Sequence, residues 1–364
     1  LHRFFLAAYL LAACVACAGS TTLGQDTTPR NCLEGDITLE QDTTLEPDCI
    51  HKARIRIAAS NITLDCRNGL IDAEGRKVAI LVGGKRSVTG VTIRNCRIRN
   101  AGIYIGLTEA DTQKASKYSR TTLYDLTPHD ITIEHCLVED SLSVGIYIDD
   151  YVRHVTVKDT TIRNAGSTGI YLEHSSQENR IQHSILTHNG YGHPPHIRVG
   201  LAKREAIAVD SSAYNIIEGN HIFSNAAGGI FLYKNCHEHA DTNPNSAPRW
   251  QHADHNLVKD NLIEDEKVGV WLASRQSRDL SKWGCGDKPY AGNRYFPDYA
   301  QHNTVEGNTF LRVGNGVIVE DDYNAILNNT FSETGQAVDI RALIRSRTLG
   351  REVVGTTISG NTIK

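Results

Sequence analysis

A six-residue phrase returns along the chain: a small residue, then alternating apolar positions, then a polar cluster. It reads Gly145-Ile146-Tyr147-Ile148-Asp149-Asp150, Gly169-Ile170-Tyr171-Leu172-Glu173-His174 and Ala206-Ile207-Ala208-Val209-Asp210-Ser211. It continues as Gly229-Ile230-Phe231-Leu232-Tyr233-Lys234, Gly269-Val270-Trp271-Leu272-Ala273-Ser274 and Gly316-Val317-Ile318-Val319-Glu320-Asp321. Internal repetition constrains architecture more tightly than any single motif, because one repeat cannot bury its apolar side alone.

A second phrase follows each of the first and ends on a small or polar residue. These ends are Cys66, Cys96, Cys136, Thr160, Ser184, Asn220, Asn261, Asn308, Asn329 and Asn361. The shortest spacings between them are 21 and 24 residues, and the longer ones are that unit plus an insertion. Alternation with a period of two predicts strands. No stretch sustains a helical period. Short strands at a fixed repeat stack coil on coil, about 4.8 Å apart, as a parallel β-helix. The column of small polar ends then lies at one bend, where stacked amides can bond along the axis.

With those residues in view, the chain from about residue 50 resembles the right-handed parallel β-helix (pectin-lyase-like) superfamily. The expectation is an all-β, single-domain, right-handed parallel β-helix solenoid of about ten coils over 32–364, with residues 32–60 as its N-terminal cap. Fold alone does not fix the reaction. Charge is nearly balanced, with 38 basic and 42 acidic residues, so nucleic acid is not an expected partner.

Residues 1–18 read as a signal peptide: His2-Arg3, an apolar run and a small-residue region. Leu11-Ala12-Ala13-Cys14 looks like a lipobox with Cys14 as lipid site, and cleavage after Ala16-Cys17-Ala18 is the alternative. Residues 19–31 read as a tether. The expected location is therefore exported, either periplasmic or as an outer-membrane or cell-surface lipoprotein, with the membrane reached only through the lipid anchor. Cys32 with Cys49 and Cys236 with Cys285 are candidate disulfides, while Cys66, Cys96 and Cys136 are expected to be buried thiols.

Insertions at 106–127, 236–254 and 276–302 leave the coil at one corner, and 191–204 enters at the other side of the same sheet. They predict a groove walled by loops. Its floor carries an outward row of Tyr104, Tyr147, Tyr171, Ala208, Phe231 and Trp271, of which Tyr147, Tyr171, Phe231 and Trp271 suit the C–H faces of sugars. The next outward row is Asp149, Glu173, Asp210, Tyr233, Ala273 and Glu320, followed by Asp150, His174, Ser211, Lys234, Ser274 and Asp321.

Lys234 and Arg275 on adjacent coils suit removal of a proton α to a uronate carboxylate, with a lysine as base and an arginine neutralising the developing charge. The pair resembles that of β-helix polysaccharide lyases of the chondroitinase B and alginate lyase type. That resemblance implies Ca²⁺ held by acids, here Glu173 and Asp210, with Tyr233 as proton donor. Thr127-Pro128-His129-Asp130 is similar to part of a mannuronan epimerase signature but lacks its first Asp, and reads as a turn before a strand. The favoured function is a lyase acting on a uronate-containing polysaccharide. The alternatives are a glycoside hydrolase using a carboxylate pair from Asp149, Asp150, Glu173 and Asp210, and a non-catalytic polysaccharide-binding protein. Asp149-Asp150 matches the first half of a polygalacturonase signature, but no Gly-His-Gly follows. His237-Glu238-His239-Ala240-Asp241 has metal-ligand residue types without a metal-site spacing.

Overall fold

A computed structural model describes residues 32–107, 118–192, 203–243 and 249–364. The expected signal peptide, Cys14 and tether lie outside the described residues, as do 108–117, 193–202 and 244–248 of the insertions. The chain winds as a parallel β-helix with three faces. The first carries Gly102–Leu107, Ile146–Ile148, Ile170–Leu172, Ile207–Asp210, Ile230–Tyr233, Val268–Leu272 and Asn315–Val319. The second runs from Thr43–Thr44 to Thr357–Ser359 in eleven strands, all paired in parallel. The third holds strands such as Leu137–Glu139, Thr161–Arg163 and Thr309–Leu311. Winding begins within the expected cap, since Glu34–Leu39 pairs with Lys52–Ile57.

Each corner between the second and third faces turns at one residue of positive φ. His135, Asp159, His183, Asp260 and Asn328 hold φ between 50° and 55°, and Gly219, Gly307 and Gly360 hold the same site on other coils. Asn, Asp, His and Gly tolerate this left-handed region best, which explains why they precede the polar ends of the second phrase. Those ends form one hydrogen-bonded ladder. The Cys136 N–H donates to Thr160, Thr160 N–H to Ser184, and Ser184 N–H to Asn220. The relay passes through Asn261, Asn308 and Asn329 to Asn361 at 2.9–3.0 Å per step. A second ladder, Asn179 to Asn215, Asn256, Asn303 and Asn324, stands at another corner.

At the top of the first ladder the expectation of three buried thiols fails. Cys66 and Cys96 are disulfide-bonded, because one column on adjacent coils brings their Cα atoms to 4.7 Å, within disulfide reach. Cys136 alone remains a buried thiol. Cys32–Cys49 and Cys236–Cys285 pair as expected. Among the described residues two short helices interrupt the strands: Arg120–Leu126, capped by Ser119, and Leu343–Leu349, closed by Gly350.

The core is a set of aliphatic stacks. Ile103, Ile146, Ile170, Ile207, Ile230, Val270 and Val317 follow one another inside the first face, all essentially buried. Each contributes about 1.5–3 kcal/mol by leaving water. The glycine that opens the first phrase is needed for close approach. A Cβ on Gly269 would stand 2.5 Å from the Phe310 ring and 2.6 Å from the Gly316 carbonyl. Gly269→Ala is therefore expected to cost about 1–3 kcal/mol through overpacking, read as a lower midpoint in denaturant.

A third, shorter ladder ends on an acid. Asn189 donates to Asn225, and Asn225 donates from both its N–H and its side-chain amide to Glu266 Oε1. Burial raises the Glu266 carboxyl to about 8, and its other oxygen has no hydrogen-bond partner among the described residues. The folded chain thus holds this proton more tightly than the unfolded chain, where the ordinary value is 4.5. Stability is expected to fall as pH rises from about 4.5 to 8. In Glu266→Gln, an amide that stays neutral, this part of the fall is expected to vanish, so thermal melts of the two proteins should diverge progressively between about pH 4.5 and 8.

Candidate functional site

The outward rows of the first face stand in the expected register. Tyr104, Tyr147, Tyr171, Ala208, Phe231 and Trp271 are aligned coil by coil. The acid row starts at Asp149 because the coil before it has Gly106 in that place, where a Cβ would strike the Asp149 side chain. The tyrosines do not lie open as a platform. Tyr104, Tyr147 and Tyr171 stack on one another at 5.4 and 5.3 Å, nearly parallel, so most ring faces are already covered. Phe231 and Trp271 meet edge to face, and Phe231 joins Ala208, Tyr233, Val268 and Ile318 in a small satellite core.

Each tyrosine instead serves the acid of the following coil. Tyr104 donates to Asp149, Tyr147 to Glu173 at 2.5 Å and Tyr171 to Asp210 at 2.7 Å. Burial together with these acids keeps the phenols protonated, with pKa values far above the ordinary phenol range.

Arg249 enters this row from the insertion at 236–254 and had no signal in the sequence. Its guanidinium bonds Glu173 at 2.5 Å and lies 3.5 Å from Asp210. Glu173 and Asp210 are the residues expected to hold Ca²⁺, and an arginine supplies the positive charge between them. Burial pushes the Glu173 carboxyl upward, but Arg249 and the Tyr147 hydrogen bond more than reverse this and hold it at about 2. Asp149 has no such cation. Burial, and then the neighbouring Asp150 charge, push it well above the carboxylate range. Glu238, 3.7 Å from Arg249, is raised to about 7 by burial.

His174 turns Nδ1 toward Asp150 at 3.0 Å, while its buried Nε2 finds no hydrogen-bond partner among the described residues. Asp150, Glu173 and His174 can each place a ligand atom within 4.8 Å of the others, the only such trio among the described residues. His237, His239 and Asp241 do not form one.

The expected lysine–arginine pair is placed differently from an open groove. Lys234 is buried and bonds Asp287 at 3.0 Å. Arg275 is 3% exposed, lies 3.6 Å from the Tyr233 ring centre and donates from Nε to Asn235. Tyr233 is fully buried and donates to Glu205, while Arg204 donates to its oxygen. Asp298 accepts the backbone N–H groups of both Lys234 and Arg275 and so ties this corner together. Asn235 links the two halves, donating to Asp210 at 2.6 Å while accepting from Arg275.

A family model described as periplasmic copper-binding protein (NosD) matches residues 67–281, more than half of the chain. The chain belongs to the NosD family. No curated protein matches it. Among solved structures, a mutant of the periplasmic alginate epimerase AlgG aligns with a TM-score of 0.54 at 13% identity, covering 90% of this chain and 74% of that one. The A-module of a mannuronan C-5 epimerase from Azotobacter vinelandii aligns at 0.46 and 13% identity, over 91% and 80%. An alginate lyase from a Paenibacillus species aligns at 0.43 and 12%, over 90% and 92%. The AlgG likeness shows the right-handed parallel β-helix fold and nothing finer.

The donors among the described residues of this NosD-family chain do not fit a resident copper ion. Cu(I) favours thiolate and thioether, and Cu(II) a tetragonal set of nitrogen and oxygen donors. The chain has no Met, and burial pushes the Cys136 thiol up to about 12. The one ligand trio offers a single imidazole, and both Glu173 oxygens are already bonded.

Arg249 is the keystone of the acid row. Arg249→Ala leaves Glu173 and Asp210 buried without a countercharge and is expected to cost about 3–5 kcal/mol. Adding Glu173→Gln should recover part of the loss in a double-mutant cycle of denaturant unfolding.

Proposed function

We propose that the chain is a glycan-active enzyme that hydrolyses a glycosidic bond at the Asp149/Glu173 carboxyl pair. The observation that supports this most is the pair itself. Two carboxyls lie on adjacent coils of one row, each bonded by the tyrosine of the coil before; burial holds one protonated and Arg249 holds the other ionised. Carboxyls pushed apart in this way carry the roles of acid and anion.

The sign of the local charge favours hydrolysis over elimination. A lyase must stabilise negative charge on an enolate. Here Glu173, Asp210 and Glu238 instead surround one arginine, with Asp150 beside His174, which suits the positive charge of an oxocarbenium-like transition state. Lys234, the base of the elimination reading, is already paired with Asp287. In the hydrolytic reading Asp149 gives its proton to the departing glycosidic oxygen as the C–O bond breaks. The Glu173 carboxylate faces the positive anomeric carbon. Water then adds its oxygen there, and the proton it releases restores Asp149. His174, oriented by Asp150, borders the same space. The metal role proposed for Glu173 and Asp210 is taken by Arg249, so no Ca²⁺ is required. Export to the periplasm fits the family description and the three disulfides.

The test offers the protein a panel of neutral and acidic polysaccharides. New reducing ends are expected without a rise in absorbance near 235 nm, and chelation should leave the rate unchanged. Asp149→Asn should lower the rate about 100-fold or more. A rise near 235 nm that disappears in Lys234→Ala would restore the lyase reading instead.

A further inference from the structure

Along the first face the charge changes sign. The acid row is interrupted after Asp210 by Tyr233 and Ala273, before Glu320, and the loop after Trp271 brings in a set of arginines. Arg275 and Arg278 both lie over the Trp283 ring, at 5.9 and 5.2 Å from its centre. Neither makes an ion pair among the described residues. Arg275 spends Nε on Asn235 and Nη1 on Ser274, both neutral, and its buried Nη2 has no hydrogen-bond partner among the described residues. Arg204 stands near them and is matched by Glu205. Asp298 gives its two oxygens to the backbone N–H groups of Lys234 and Arg275 rather than to a guanidinium. Two cations therefore remain without a direct ion pair among the described residues, with Glu205 and Glu238 acting on them only at longer range. Burial, and then the like charges of Arg275 and Arg204, hold Arg278 below its ordinary pKa, as expected for guanidinium groups crowded without an anion.

A buried guanidinium N–H without an acceptor is costly, and leaving like charges together adds to that cost. An oxyanion is the ligand that relieves both, since arginine presents paired donors to carboxylate and sulfate alike. Arg278 is half-buried and gives the site an opening to solvent. Trp283 is shared by the two guanidiniums, and the Tyr233 ring lies closer still to that of Arg275, at 3.6 Å. The hydrogen-bonded link from Arg275 through Asn235 to Asp210 sets this place next to the carboxyl row.

We infer that Arg275 and Arg278, seated on Trp283, form a subsite for the acidic group of a glycan, a uronate carboxylate or a sulfate ester, beside the carboxyl pair. The assignment rests on the hydrolytic reading only in taking a glycan as carrier. It makes the substrate an acidic polysaccharide whose charged residue sits along the groove from the bond that is cut.

The experiment is calorimetric binding of a uronate trisaccharide, a sulfated trisaccharide and a neutral trisaccharide to Asp149→Asn, which removes turnover. One or both acidic ligands are expected to bind at least about tenfold more tightly than the neutral one, and the stronger of the two identifies the group. Adding Arg278→Gln should erase that preference with no change in thermal melting. Arg275→Gln should do the same if it folds, and Arg278→Lys should restore only part of it. Equal binding of all three ligands, no binding of either acidic one, or a preference indifferent to Arg278 would each overturn the subsite. Acidic ligands that bind through Arg278 while wild-type protein releases no reducing ends would defeat the hydrolytic reading and leave the subsite standing.

Discussion

The structure depends on keeping successive coils in register. Parallel coils about 4.8 Å apart have no hairpin turn to fix their alignment, and a one-residue slip would turn every side chain to the opposite face. The asparagine ladders prevent that slip. Each side-chain oxygen accepts both the backbone N–H and the amide of the coil before, so a displaced coil would leave several buried donors empty. The aliphatic stacks supply most of the burial, but they are nearly uniform along the axis and would tolerate a shift that the ladders do not.

The same register makes the site. Because coils repeat, a tyrosine and an acid two positions apart become a diagonal pair, and the pair repeats three times. What distinguishes the three is their surroundings. Asp149 has burial and another acid; Glu173 has a guanidinium; Asp210 has Asn235 and Ser211 as well as its tyrosine. A monotonous scaffold thus yields carboxyls of unlike protonation without any special backbone geometry. The loop that delivers Arg249 is what breaks the symmetry.

Much of this was legible in the sequence. The two phrases contain the strand register, and the outward rows follow from it directly. The column from Cys136 to Asn361 was readable for the same reason. The second ladder was equally present, as an Asn just before each strand at Asn179, Asn215, Asn256, Asn303 and Asn324. The Cys66–Cys96 bond was implied by that shared column as well. Arg249 was not legible: it sits in an insertion, 76 residues from Glu173, and no periodicity connects them. Lys234 and Arg275 were placed on the correct coils, but alignment does not reveal that the 276–302 loop supplies Asp287 and Asp298 and encloses them. Repeats report register, whereas burial depends on loops that do not repeat.

The central claim is that Asp149 and Glu173 hold opposite protonation states at neutral pH. Carbon-detected NMR titration of the side-chain carboxyls tests it directly. Glu173 is expected to stay ionised down to about pH 2, while Asp149 takes up its proton well above the ordinary carboxylate range. Two carboxyls titrating together in the ordinary range near pH 4 would contradict the account, since neither burial nor Arg249 would then be dividing the pair.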